Sequence, residues 1–120
     1  MKYKQYQKMK DSGVEWIGEI PEHWEKDKLG RRMFFQEGPG LRNWQFTDSG
    51  TRVICVTNIT THGIDFSKHQ RFIDTKEYLE KYKHFTVQDE DFLLASSGNT
   101  WGKVSVYSGP NDLILNTSTI

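Results

Sequence analysis

An α+β fold, with a twisted and mostly antiparallel sheet, short helices and long contact loops, is what this sequence predicts. Three observations carry the expectation. Thr51–Ile59 (TRVICVTNI) is rich in β-branched residues, the side chains that suit a pleated, half-buried surface. Phe92–Ala95 and Val104–Tyr107 are two further apolar or alternating runs, separated by the glycine-containing stretch Ser96–Lys103, as two strands and a connecting loop would be. Asp74-Thr75-Lys76-Glu77 sets an acceptor at a helix start with a glutamate three residues later, the pattern of reciprocal capping.

In chain order, residues 1–13 are polar and lysine-rich and read as a mobile N-terminus. In Ser12–Trp24, Gly13, Gly18 and Pro21 break any long helix, while Trp16, Ile17, Ile20 and Trp24 call for burial. An irregular segment pinned to the core by its two tryptophans is expected. A strand near Trp24–Leu29 and a helical turn around Arg31–Gln36 follow, ended by Glu37-Gly38-Pro39-Gly40. Thr51–Ile59 is the clearest strand, with a turn at Gly63. The capped helix should run to about Phe85, since Tyr78, Leu79 and Tyr82 recur at helical spacing. Phe92–Ala95 pairs with Val104–Tyr107, and after the turn Ser108–Asp112 the stretch Leu113–Ile120 reads as another strand. The chain stops within that apolar run, so residues 14–120 are expected to be a partial domain, truncated at its C-terminal end.

Composition narrows the functions. The 120 residues carry equal numbers of acidic and basic side chains, 16 of each; 35% of residues are hydrophobic and 13% aromatic. Mean hydropathy is −0.73. A core built largely from Phe, Tyr and Trp fits those values, and pervasive disorder does not. The longest apolar runs span only a few residues, too short for a membrane helix, and no apolar core follows the basic residues of Met1–Gln5, so that stretch is not expected to act as a secretory signal. Cys55 has no partner for an internal disulfide, which fits a reducing, cytoplasmic compartment. Neutrality also bears on nucleic acids. A stand-alone duplex binder is usually basic, so a partner would have to supply much of the phosphate grip.

Several chemistries lack their residues. Ser97–Lys103 (SGNTWGK) ends in Gly-Lys, but three residues rather than four separate its glycines, Val104 stands where a P-loop needs a hydroxyl, and a strand follows instead of a helix. Cys55 sits in a β-branched run and reads as a small hydrophobe. His23, His62, His69 and His84 lack paired zinc spacing. Asp89-Glu90-Asp91 alternates across a turn and strand, unlike a metal cluster. No catalytic residue, metal ligand or cofactor site is expected. Polar loops remain: Leu41–Phe46, which holds Arg42, Asn43 and Gln45; Asn58–Gly63, which holds Thr60, Thr61 and His62; and Ser97–Lys103, which holds Asn99, Thr100 and Lys103. Amides, hydroxyls and cations of these kinds read base edges, and equally they shape turns. Composition leaves both readings open.

Lys10–Trp24 (KDSGVEWIGEIPEHW) closely resembles the opening of type I restriction–modification specificity subunits. Ser97–Val104 and Leu115–Ile120 (LNTSTI) resemble two later blocks of that family's target-recognition domains, in the expected order. The resemblance implies a non-catalytic subunit that reads double-stranded DNA. Adenine methylation and cleavage would belong to the methyltransferase and restriction subunits it partners. Two recognition domains separated by spacer helices are the family pattern. Set against that pattern, the sequence is expected to hold most of a first recognition domain, one half of a bipartite reading. The resemblance adds Asn116 as a candidate contact. It also favours variable segments such as Leu41–Phe46 and Thr60–His69, including Lys68, for base reading. Gly98 and Gly102 are expected to bend the recognition loop, and Trp101 to pack within it. The competing reading is a β-rich carbohydrate- or protein-binding module using exposed tryptophans.

Overall fold

The computed structural model describes residues 5–120, in two compact units that divide after Phe34. In the first, Met9–Asp11 (β1) pairs antiparallel with Glu19–Pro21 (β2). The polar stretch in which the sequence predicts no element therefore carries a strand. A hairpin needs only a closed turn and a backbone partner, and Ser12, Val14 and Gly18 provide that closure: Ser12 N–H donates to the Gly18 carbonyl at 2.9 Å and Gly18 N–H to that of Val14 at 3.0 Å. The same closure turns the intervening side chain outward. Trp16 is 86% exposed and Trp24 49%, against the expected burial; Trp24 stacks edge-on with Tyr6 at 5.6 Å. No strand forms at Trp24–Leu29. Asp27 instead accepts from Lys28 N–H and from both Arg31 and Arg32, and a 3-10 turn at Leu29–Arg31 results.

The second unit is built on a four-stranded sheet. Its strands are Phe46–Thr47 (β3), Thr51–Ile54 (β4), Arg71–Ile73 (β7) and Leu113–Leu115 (β10), in the order β10-β4-β7-β3. Two hairpins complete the β structure: Ile59–Thr60 (β5) with Gly63–Ile64 (β6), and Phe92–Leu94 (β8) with Val104–Val106 (β9). Apart from the parallel β10–β4 pair, every pairing is antiparallel. The fold class is α+β, as the sequence predicts.

Strand alternation distributes the core. Side chains on one strand point to opposite faces with period two. Val53 and its cross-strand partner Ile114 point to one face, where Ile73 and Tyr78 join them. Ile54 and its partner Leu115 point to the other, among Ile59, Val87, Leu93 and Tyr107. β4 and the edge strand β10 are thus both buried on two sides, and a fully buried Ile contributes about 1.5–3 kcal/mol.

A helical segment covers the first face. Asp74 caps Thr75–Glu77 (α1) by accepting from Glu77 N–H at 3.0 Å, as the capping pattern requires. The reciprocal contact is missing because the Glu77 carboxylate is engaged by Gln45. The helix continues as a π turn, Tyr78–Tyr82, and a 3-10 turn, Lys83–Phe85, ending where expected. The predicted long strands are cut short. After Ile54 the chain turns into a 3-10 segment, Val56–Asn58, as the Asn58 side chain accepts from Cys55 N–H at 2.8 Å. After Leu115 it turns again: Thr119 N–H and hydroxyl both donate to the Asn116 carbonyl, and Ile120 exchanges backbone bonds with Leu94.

Tyr107 is 2% exposed, with its hydroxyl donating to the Pro110 carbonyl at 2.7 Å. Burial, reinforced by the nearby carboxylates of Asp112 and Asp89, pushes the phenol upward from its ordinary value. A phenol harder to ionise folded than unfolded contributes stability that is complete below pH about 10 and lost as pH rises past it. Tyr107→Phe should therefore cost about 1 kcal/mol near pH 8. The gap from the unmodified protein should narrow by pH 11, as read from urea denaturation midpoints.

Candidate functional site

The turn that ends β4 builds the site. Asn58 is fully buried, and its amide nitrogen donates to the carbonyls of Asp65 at 2.9 Å and Lys68 at 2.5 Å. Arg52 reaches the same loop, donating to the carbonyls of Phe66 at 2.9 Å and Lys68 at 3.2 Å. Its guanidinium lies over the rings of Phe66 and Phe72, 5.5 and 5.4 Å from their centroids. Two donors on one carbonyl fix the position of Lys68 in the loop between β6 and β7.

Ser97–Lys103 is braced from the other side. Gly98 and Gly102 hold φ of +78° and +84°, the left-handed bends expected of them. Ala95 and Lys103 close the base of the loop (Ala95 N–H to the Lys103 carbonyl, 2.9 Å), and Gly102 N–H donates to the Ala95 carbonyl at 2.7 Å. The Thr100 hydroxyl donates to the Val56 carbonyl at 3.3 Å. So held, the loop carries Trp101 74% exposed. The expectation that Trp101 packs is thus corrected: between two left-handed bends its side chain has no interior to enter.

Between these loops lies an open cleft of about 370 Å³, lined by Thr57, Ile59, Thr60, Lys68, His69, Thr100 and Lys103. Four of the sequence-predicted residues, Thr60, Lys68, Thr100 and Lys103, come together here from three separate stretches of chain. Thr57 is an addition, and His69 comes from the end of the favoured Thr60–His69 segment. Thr57 reads as part of a strand in the sequence. His69 has φ +42°, a conformation with no signature in sequence. Asp65 stands beside the cleft; the Ser67 hydroxyl and N–H hold its carboxyl below the ordinary range, and it lies 3.8 Å from the Lys68 ammonium.

The other predicted residues are distributed. Thr61 and His62 form the exposed tip of the β5–β6 hairpin, next to a second hollow of about 420 Å³ shared with Phe92, Val104, Ser105 and Val106. Asn99 is exposed on its loop. Arg42 and Asn43 are exposed too, but their segment packs through Leu41 and Phe46 on the face of the sheet that carries Tyr78. Ile59, which lines the cleft, packs on the opposite face. Gln45 is only 7% exposed. Its amide donates to Glu77 at 2.8 Å and to the Tyr82 hydroxyl at 3.0 Å, and its oxygen accepts from Arg42 N–H at 2.8 Å. With its amide spent inside the protein, Gln45 shapes the loop and has no free group for a base. Asn116 is half-buried, its amide nitrogen 3.8 Å from the Cys55 sulfur. Burial pushes that thiol up, partly offset by Asn116, Arg71 and Arg52, so Cys55 stays an uncharged core side chain and Asn116 braces it.

Among the described residues, no group of three or more His, Cys, Asp or Glu side chains is placed to hold a metal ion, and no helix is long and apolar enough to cross a membrane. No family model matches the sequence. It is similar to the type I restriction enzyme MjaVIII specificity subunit of Methanocaldococcus jannaschii, with 32% identity over 79 residues. The matched stretch is 66% of this chain and 18% of the relative, so the chain spans under a fifth of the length of the curated protein it matches.

Proposed function

We propose that this chain recognises double-stranded DNA in a sequence-specific way, as the specificity subunit of a type I restriction–modification complex or a fragment of one. In this reading it is non-catalytic and cytoplasmic, and it directs methylation and cleavage by methyltransferase and restriction subunits. The observation that carries the proposal is the 79-residue similarity to a specificity subunit. The braced polar loops support it, because a reader of base edges gains from side chains whose backbone is already fixed. Thr61, His62 and Asn99 project from such loops, and Arg42 and Asn43 form a second exposed group. Gln45 and Asn116 act as positioning residues. A duplex reader on a neutral chain relies on partners for the remaining phosphate contacts.

The test is binding to a randomised duplex pool with the matching methyltransferase subunit supplied, at about 50 and 200 mM salt. Enrichment of one short half-site is expected, with affinity lower by about tenfold or more at the higher salt. Salt-insensitive binding, or no enrichment by demonstrably folded protein, would overturn the proposal.

A further inference from the structure

We infer that the cleft between the Thr57–Lys68 and Thr100–Lys103 stretches is a seat for a single phosphate group, and that in the DNA-bound state it grips the backbone and leaves base reading to the projecting tips beside it. The inference rests on the DNA-reading proposal for the source of that phosphate, but its chemistry comes from the groups in the cleft.

The free polar groups there favour an acceptor-only ligand. The Lys103 ammonium has no ion-pair partner among the described residues. Lys68 has only a 3.8 Å contact to Asp65. Ammonium groups donate and never accept. The Thr57 hydroxyl lies buried behind the lining with no hydrogen-bond partner among the described residues, an unpaired polar group at the cleft wall that costs free energy. Thr60 and Thr100 have already donated their hydroxyls, to the carbonyls of Gly63 and Val56. His69 adds a ring that carries at least one further N–H.

Shape separates phosphate from base. Base edges lie at the floor of a major groove about 8.5 Å deep, so side chains that read them must project. The cleft hydroxyls are recessed. Phosphates stand on the outer ridge of the duplex, where a concave, donor-lined hollow meets them. A hollow of about 370 Å³ also admits one phosphodiester and no duplex. The tips that do project, Thr61-His62 and Asn99 with Trp101, belong to the chain segments that form the cleft, so a phosphate seated in it would fix their register along the groove.

Lys68→Gln, Lys103→Gln and the double variant test this in two arms. In the first, binding to the duplex pool is measured across salt concentrations. Each substitution should weaken enriched and unenriched duplexes alike, flatten the logarithmic salt slope by about 0.9, and leave the enriched half-site unchanged. An altered half-site would make the lysines base readers, and unchanged affinity and slope would remove the cleft from the interface; either outcome overturns the inference. In the second arm, inorganic phosphate is titrated into the free 120-residue chain while backbone amide resonances are followed. Shifts at Thr57, His69 and Lys103 that vanish in the double variant are expected, and no shift at these positions overturns the seat. Phosphate shifts without duplex binding would defeat the DNA reading and keep the seat; duplex binding insensitive to both lysines would do the reverse. Should the double variant fail to fold, Lys68→Gln alone carries both arms, because that side chain is solvent-exposed.

Discussion

Asn58→Ala should cost about 3–4 kcal/mol of folding stability, a large share of what a domain of this size possesses. The side chain is fully buried, and its three hydrogen bonds join the end of β4 to the loop carrying Asp65 and Lys68. Truncation leaves Cys55 N–H and the Asp65 carbonyl without this partner and the Lys68 carbonyl with Arg52 alone, and it opens a cavity that neighbouring backbone cannot fill without losing the turn. Urea denaturation followed by circular dichroism measures the loss. A change under about 1 kcal/mol would mean that Arg52 and the backbone bond from Asp65 N–H to the Asn58 carbonyl suffice to hold the loop. Asn58→Asp sharpens the test. One carboxylate oxygen can still accept from Cys55 N–H, but the other would face two carbonyl oxygens. The buried acid should therefore be harder to ionise in the folded state than in the unfolded one. Its contribution would be complete below the unfolded value near pH 4 and lost as pH rises, so the aspartate variant should regain stability on acidification, where the alanine variant does not.

Asn58 also marks where sequence patterning stops being informative. Thr51–Ile59 reads as one strand because its residues are β-branched and apolar, and for Thr51–Ile54 that holds. A buried asparagine that bonds back to the backbone three residues earlier looks, in a string of letters, like any polar residue in a strand. The helix start at Asp74 was legible because capping is local: donor and acceptor lie three residues apart. The β8–β9 hairpin was legible for a similar reason, with two short apolar runs flanking a glycine loop. Burial of Trp16 and Trp24 was misread because hydrophobicity says that a side chain gains from burial, not that its turn directs it inward. Of the candidate site, chemistry-bearing residue types on loops were legible. Which loops converge was not, since Thr60, Lys68, Thr100 and Lys103 meet only through Asn58, Arg52 and Thr100 bonding to backbone far along the chain.

Gly38→Ala should destabilise the second unit by about 3 kcal/mol or more, although in sequence Gly38 looks like an ordinary residue of a Gly-Pro-Gly turn. A Cβ there would collide with the Asn116 carbonyl and approach the Asn116 and Leu115 carbonyl carbons to 2.6 Å. All three are backbone atoms, and that backbone cannot retreat. Asn116 N–H donates to the Ile54 carbonyl at 2.9 Å, Gly38 N–H to Thr119 at 3.0 Å, and Glu37 accepts from Ser118 N–H at 2.8 Å. Gly98→Ala supplies the contrast. Gly98 sits in the most conspicuous motif of the chain, yet a Cβ there meets only a Val56 methyl at 3.9 Å, so its cost is the left-handed backbone alone, about 1–2 kcal/mol. Denaturation midpoints of the two variants should rank Gly38→Ala well below Gly98→Ala. The reverse order would mean that residues 37–40 and 115–119 do not press together, and that the end of β10 is held by the Ile54 ladder without them.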